Sequence, residues 1–233
     1  MMKGWWGKIK SIHPSQTLQE QAYQYLYEKI INGEISPGSR LVEQKIVEET
    51  KISRSPIRES IRQLESEGLV TVHPRGGVRV YRPTHEDFKH LYECRISFEP
   101  TASYYAAHRL NEMRRERLDQ IMYSMRSAIE LNDTLSLKKY SREFHDTIVE
   151  FSGNPYLKKF MNQLRSFVLF YQNAIFNSYD RLLIGSVEHE DIWQAIRNGD
   201  GEAAKRLMQD HLKKDYEFYL LEYGKANPKI EKI

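Results

Sequence analysis

The sequence predicts a mainly α-helical protein in two parts. Three short helices closed by a small β-hairpin come first, followed by an all-α antiparallel bundle of six or seven helices. Three observations lead there. Residues 51–70 read as a turn running into a helix with one apolar and one basic face. Residues 69–81 read as two short strands around Pro74-Arg75-Gly76. From Asp87 onward the strand signals stop and every segment reads as helix.

Residues 1–14 form an N-terminal arm that Trp5 and Trp6 could anchor. It carries charge but no apolar run, so it is not a signal peptide. Gln16 to Asn32 is the first helix, with Ala22, Leu26 and Ile30 on its inner face. Gly33 to Ser39 is a turn. Leu41 to Thr50 is the second helix, with Leu41, Ile46 and Val47 inward, and Lys51-Ile52 is a tight turn. In the third helix Ser53 or Ser55 can cap the N-terminus, because a hydroxyl there accepts a free backbone N–H. Pro56 is tolerated in the first turn, where a missing N–H costs nothing. Ile57, Ile61 and Leu64 form the apolar stripe, Arg54, Arg58 and Arg62 form a separate basic one, and Gly68 ends the helix. The two strands and their glycine-bearing tip follow, to about Tyr81.

Helix, helix, helix, wing is the order of a winged helix-turn-helix. One face buried and one cationic is what a helix needs to enter a DNA major groove while packed on its own domain. Arg54 and Arg58 are the candidates for base edges or phosphates, and Ser53, Ser55 and Gln44 are the candidates for positioning the backbone. The wing tip, with His73, Arg75 and Gly76, is the candidate for the minor groove or its phosphates. Ser53-Arg54-Ser55-Pro56-Ile57-Arg58-Glu59, Leu64-Glu65-Ser66-Glu67-Gly68-Leu69 and Arg75-Gly76-Gly77-Val78 together resemble the DNA-binding domain of GntR-family bacterial transcription regulators. The resemblance spans roughly residues 15–82.

The chain has 233 residues and 40% hydrophobic content, enough for a globular core in one large or two smaller domains. Its one cysteine, Cys94, excludes an internal disulfide framework and fits a reducing, cytoplasmic setting. No apolar run reaches membrane-spanning length. The net charge of +3 says little by itself, but its distribution says more. Residues 1–83 hold 13 Lys and Arg against 9 Asp and Glu, whereas residues 84–233 hold 22 against 23. The basic surplus lies in the half that carries the helix-turn-helix, the footprint of a DNA-binding unit.

Pro83 stops the last strand, and Thr84 with Asp87 resembles a capping box that opens the bundle. Helices are expected at 85–109, 112–131, 136–151, 155–178, 180–198 and 201–223, with Asn111, Asn132-Asp133, Gly153-Asn154-Pro155 and Asn198 to Gly201 as breaks. The organisation is an arm (1–14), a DNA-binding domain (15–82), a helical effector-binding and dimerisation domain (83–224) and a polar, frayed tail (225–233).

Four polar residues fall on inward stripes of this bundle. Arg95 shares its stripe with Phe88, Leu91, Phe98, Ala102 and Tyr105, with Glu99 one turn later. An arginine pointed inward is expensive unless paired. Either it forms a helix pair with Glu99, or it is a fork for a ligand carboxylate. His145, His189 and His211 each sit among apolar neighbours on a different helix. A single such histidine is ordinarily a hydrogen-bonded core residue. Three that converge are a transition-metal arrangement.

Tyr92-Glu93-Cys94-Arg95 with Glu99, Phe144-His145, Glu188-His189 with Ala195-Ile196 and Gly199-Asp200, and Met208 with His211-Leu212 resemble the helical effector domain of FadR-like GntR regulators. The resemblance implies a divalent transition metal, zinc or nickel, on His145, His189 and His211, at the floor of a small-acid pocket. Arg95, Glu99 and Ser141 would belong to that pocket. The family's usual fourth ligand is an aspartate one turn before the first histidine. This chain has Ser141 there, and serine is a poor ligand at neutral pH. A metal completed by the effector's carboxylate and a metal-free site with histidines on the ligand both remain open. The expected protein is a repressor that binds palindromic operator DNA as a homodimer, answers to a small carboxylic acid and has no membrane association. Two alternatives are a hydrolase using a three-histidine metal site and a DNA-binding dimer without ligand. Against the hydrolase, Trp193 stands where a zinc-protease motif starting at His189-Glu190 needs its second histidine, and no carboxylate is obviously placed as a base.

Overall fold

Thr17 opens the first helix. Its hydroxyl accepts from the Glu20 N–H while the Glu20 carboxylate takes the Thr17 N–H, satisfying two of the donors that a helix start leaves free. The computed structural model describes residues 16–73, 77–175 and 178–226. The expectations for the arm, for Arg75 and Gly76 and for residues 227–233 lie outside the described residues. The chain divides into two compact units, Met1–Arg82 and Pro83–Ile233.

In the first unit α1 (Leu18–Ile31), α2 (Glu43–Thr50) and α3 (Arg54–Ser66) pack with a three-stranded antiparallel sheet. Helix α1 packs on α3, and Ala22, Leu26 and Ile30 of the one and Ile57, Ile61 and Leu64 of the other are all buried. Each of the buried leucine and isoleucine side chains stabilises the unit by roughly 1.5–3 kcal/mol. Gly68, at φ +76°, lets the chain leave α3, with the Leu69 N–H closing back on the Leu64 carbonyl.

The hairpin is β2 (Val70–His73) with β3 (Gly77–Val80), in register from Val70 opposite Val80 to His73 opposite Gly77. The second helix does not begin at Leu41. Arg40 and Leu41 form a further strand, β1, opposite Arg79 and Val78, and α2 begins at Glu43. Leu41 is inward as expected, but from a sheet edge. The hydroxyl caps on α3 are also corrected. Ser53 is the extended N-cap residue, but among the described residues its hydroxyl makes no cap hydrogen bond.

The second unit contains α4 (His85–His108), α5 (Glu112–Glu130), α6 (Thr134–Phe151), α7 (Pro155–Ile175), α8 (Tyr179–Arg197) and α9 (Gly201–Ala226). The Thr84–Asp87 capping box starts α4. Asp133 caps α6 through the Ser136 N–H, so that helix starts two residues earlier than the sequence suggests. The last helix runs on through Gly224 to Ala226 instead of fraying at Gly224.

Helix α4 packs on α6, α7, α8 and most extensively on α9. Gly201 permits the close approach of α9 to α4: a Cβ there would stand 2.7 Å from His108 Nε2 and 2.9 Å from the Tyr104 ring. Phe88, Phe144, Trp193, Met208 and Tyr219 are among the large side chains that fill the core. Among the described residues, no helix is long and apolar enough to cross a membrane.

Candidate functional site

Two sites emerge, one in each unit. On the first unit the α2–α3 turn hinges on Lys51, which adopts a left-handed conformation (φ +61°) and donates its N–H to the Val47 carbonyl. The turn presents the exposed N-terminal end of α3, with Ser53, Arg54, Ser55, Arg58 and Arg62 all exposed. Arg54 Nη2 donates to Gln44 Oε1 at 2.8 Å, and Gln44 Nε2 to Glu48 at 3.0 Å. Arg58 Nε donates to Glu43 Oε2 at 2.9 Å. Exposed pairs of this kind contribute under about 1 kcal/mol, so phosphates or bases can replace them.

His73 is exposed at the end of β2. Two cations missed in the sequence join this side. Arg40 and Arg79 are cross-strand partners at the base of the hairpin, both exposed, with Arg79 donating to the Gly38 carbonyl at 2.9 Å. No local signal reveals them, because the pairing that sets them side by side is long-range.

In the second unit α6, α8 and α9 bring His145, His189 and His211 together, all three buried. His145 Nε2 lies 3.0 Å from His189 Nε2, which lies 3.2 Å from His211 Nε2. Behind them stand two carboxylates. Glu99 Oε2 is 2.6 Å from His145 Nδ1, and Glu188 Oε2 is 2.8 Å from His211 Nδ1. A carboxylate that accepts from Nδ1–H keeps the ring proton on that nitrogen and leaves a bare Nε2.

Two bare nitrogens therefore face the cluster, and His189 Nε2 can offer a proton to only one of them. Such an arrangement could hold a cation. Burial lowers the His145 pKa, although Glu99 pulls it the other way. It lowers that of His189 well below the usual value, helped by the neighbouring His211 and His145. His145 and His189 are thus set to be neutral, the form that binds a metal ion.

Arg95 is buried and spent on its own helix. Its Nε donates to Glu99 Oε1 at 2.6 Å and its Nη2 lies 3.4 Å from Glu99 Oε2. Among the described residues, Nη1 has no hydrogen-bond partner. Of the two sequence readings, the pair with Glu99 is the one formed. Despite its burial, the Glu99 carboxyl sits well below the usual range, because Arg95 and His145 stabilise its anion.

The structure separates the expected effector residues. Arg95, Glu99 and His145 line one cavity with Arg142 and Arg165. Ser141 lines another, with His189, His211, Arg181, Gly185 and Asp215. Glu143 is turned away onto Arg117.

Arg181, Glu188 and Asp215 carried no assigned role in the sequence reading. Arg181 is buried, and its Nη2 donates to Glu188 Oε2 at 2.9 Å and to Asp215 Oδ1 at 2.7 Å. Among the described residues, its Nε and Nη1 have no hydrogen-bond partner. The i+4 spacing of His211 and Asp215 was the one signal that could have drawn attention to the aspartate.

A winged helix-turn-helix with an exposed basic helix, followed by a helical bundle with a buried polar site, defines a DNA-binding regulator with a sensor domain. The comparisons agree. Residues 18–80 match the model of the bacterial regulatory proteins of the gntR family, and residues 90–214 match the FCD domain. The chain is 29% identical over 211 residues to the HTH-type transcriptional regulator YdhC of Bacillus subtilis, covering 89% of this chain and 94% of that one. It is 24% identical over 204 residues to the HTH-type transcriptional repressor RspR of Escherichia coli, covering 86% and 88%. The solved structure of E. coli McbR/YncC shares the fold at a TM-score of 0.76 and 19% identity, over 89% of this chain and 99% of that one. The chain belongs to the gntR family of bacterial regulatory proteins, with an FCD domain. It is a DNA-binding transcriptional regulator and not a hydrolase.

Proposed function

We propose that this regulator represses transcription as a homodimer on a two-fold operator, and that a divalent transition metal and a small carboxylate in the FCD domain control that binding. The observation that carries the sensor reading is the convergence of three Nε2 atoms backed by Glu99 and Glu188. A three-imidazole set with the outer nitrogens of His145 and His211 held by carboxylates fits zinc or nickel. When bound, the ion would polarise an oxygen of the effector's carboxylate. The protein's part is to hold the three rings neutral and oriented. The lining of the adjoining cavity includes Arg181, Asp215 and Ser141, polar groups that a bundle serving only to dimerise does not need in its interior.

For DNA, the exposed Arg54, Arg58, Ser53 and Ser55 at the start of α3 support a recognition helix, with Arg40, Arg79 and His73 supporting phosphate contacts beside it. One such helix reads too few base pairs for useful specificity, and two-fold pairing is the general solution. The test is sedimentation of the full-length protein with and without operator DNA, metal and a panel of small carboxylates. A two-to-one complex that a carboxylate dissociates only in the presence of metal is expected. A monomer on its operator, or operator binding indifferent to metal and carboxylates alike, would overturn the proposal.

A further inference from the structure

The family resemblance places a metal-binding carboxylate where this chain has Ser141. We infer that Asp215, one turn beyond His211 on α9, replaces it and supplies the fourth protein ligand. This rests on the metal reading above and adds to it the residue that completes the shell.

The first ground is position. Asp215 Oδ2 lies 3.7 Å from His211 Nε2, the nitrogen that faces the other two histidines. A carboxylate that merely orients a metal-bound histidine takes the outward nitrogen, and on His211 that place is filled by Glu188 at 2.8 Å. Asp215 is on the ligand side of the ring. Zinc bonds to nitrogen and oxygen of about 2.0–2.1 Å put tetrahedral donors about 3.3 Å apart. The nitrogen spacings of 3.0 and 3.2 Å lie close to that edge, and the Oδ2 contact needs to close by only a few tenths of an ångström (about 0.4 Å on the same geometry).

The second ground is the anchor. Asp215 Oδ1 accepts from Arg181 Nη2 at 2.7 Å, and the same nitrogen holds Glu188 at 2.9 Å. One buried guanidinium thus fixes both the carboxylate that orients His211 and the one beside its ligand nitrogen. That leaves Oδ2 as the free end of Asp215, directed at the cluster. Asp215 and Ser141 line the same cavity with His189 and His211, so both positions reach the same side of the site.

The third ground is charge. Arg95, Glu99, Arg181, Glu188 and Asp215 have side chains no more than 16% exposed, and they comprise two cations and three anions. With neutral imidazoles, these five buried groups carry one excess negative charge; Lys214 meets Glu188 Oε1 at 3.1 Å from the surface, but its side chain is 59% exposed and its charge is screened by solvent. A buried surplus of that kind is costly unless a cation joins it. A divalent ion reverses the sign and leaves one positive charge for a monocarboxylate to cancel.

The experiment measures metal affinity on the full-length protein without effector, by competing zinc away with a chromophoric chelator. It is repeated with cobalt, whose visible absorption reports the coordination shell. The set is wild type, Asp215→Asn, Ser141→Asp, the double variant and His189→Ala. Asp215→Asn should lose about tenfold or more in affinity and change the cobalt spectrum, since even outer-shell partners are worth about 10–100-fold. Ser141→Asp in the Asp215→Asn background should restore binding, which also shows that the bundle has folded.

Wild-type affinity and an unchanged cobalt spectrum in Asp215→Asn would overturn the assignment while leaving the three-histidine metal site standing. So would a loss that Ser141→Asp does not rescue. Absence of zinc and cobalt binding in wild type and His189→Ala alike would overturn the metal reading itself.

Discussion

Glu99 Oε2 sits 2.6 Å from Nδ1 of His145, with both side chains buried. That contact decides which nitrogen of the ring carries the proton and which faces His189. It also joins the cluster to α4, because the other oxygen of Glu99 is held by Arg95 at 2.6 Å.

Glu99→Gln therefore removes the anion that selects the His145 tautomer while preserving shape. Zinc affinity, read by calorimetry, is expected to fall about 10–100-fold. Unchanged affinity would mean that His145 is oriented by packing against Phe144 and not by the carboxylate.

Arg95→Ala tests whether this arginine is a structural partner or a ligand for effector. It leaves Glu99 buried with His145 as its remaining partner, and breaking a buried pair in this way costs about 3–5 kcal/mol. Urea unfolding of the metal-free protein should show the loss. Full stability combined with loss of carboxylate response would return Arg95 to the ligand-binding role that the sequence left open.

Arg58→Ala should lose about ten- to hundredfold in operator affinity, since a bidentate arginine–guanine contact is worth roughly 1–3 kcal/mol. The fold should survive, because Arg58 is exposed and its partner Glu43 lies at the surface. Fluorescence anisotropy with a labelled operator is the measurement. An Arg54→Ala, Arg58→Ala double variant that binds as tightly as wild type would remove α3 from the recognition role.

Lys51 holds φ +61° at the end of α2. A left-handed conformation costs a residue with a Cβ roughly 1–2 kcal/mol. Lys51→Gly is thus expected to raise the stability of the first unit by about 1 kcal/mol in thermal unfolding. A fall in stability would show that the lysine side chain contributes more than the strain it carries.

Most of the helices and their buried faces were legible in the order of the residues alone. Ile57, Ile61 and Leu64 repeat at helical spacing, and Thr84 with Asp87 forms a cap within one turn. Such signals act over a few residues and survive without knowledge of the rest of the chain. The placement of Arg95, His145, His189 and His211 on inward stripes was legible for the same reason. Only the tertiary structure decided what depends on partners distant in the chain. The two-residue strand at Arg40–Leu41 exists because β3 pairs with it. Nothing local in the sequence gives Arg181, Glu188 or Asp215 a role, and packing of α8 on α9 is what buries them beside the histidines. Periodicity tells which side of a helix faces in. Only packing decides which donor then meets which acceptor, since hydrogen bonds act over about 3 Å and are set by the helix that arrives from elsewhere.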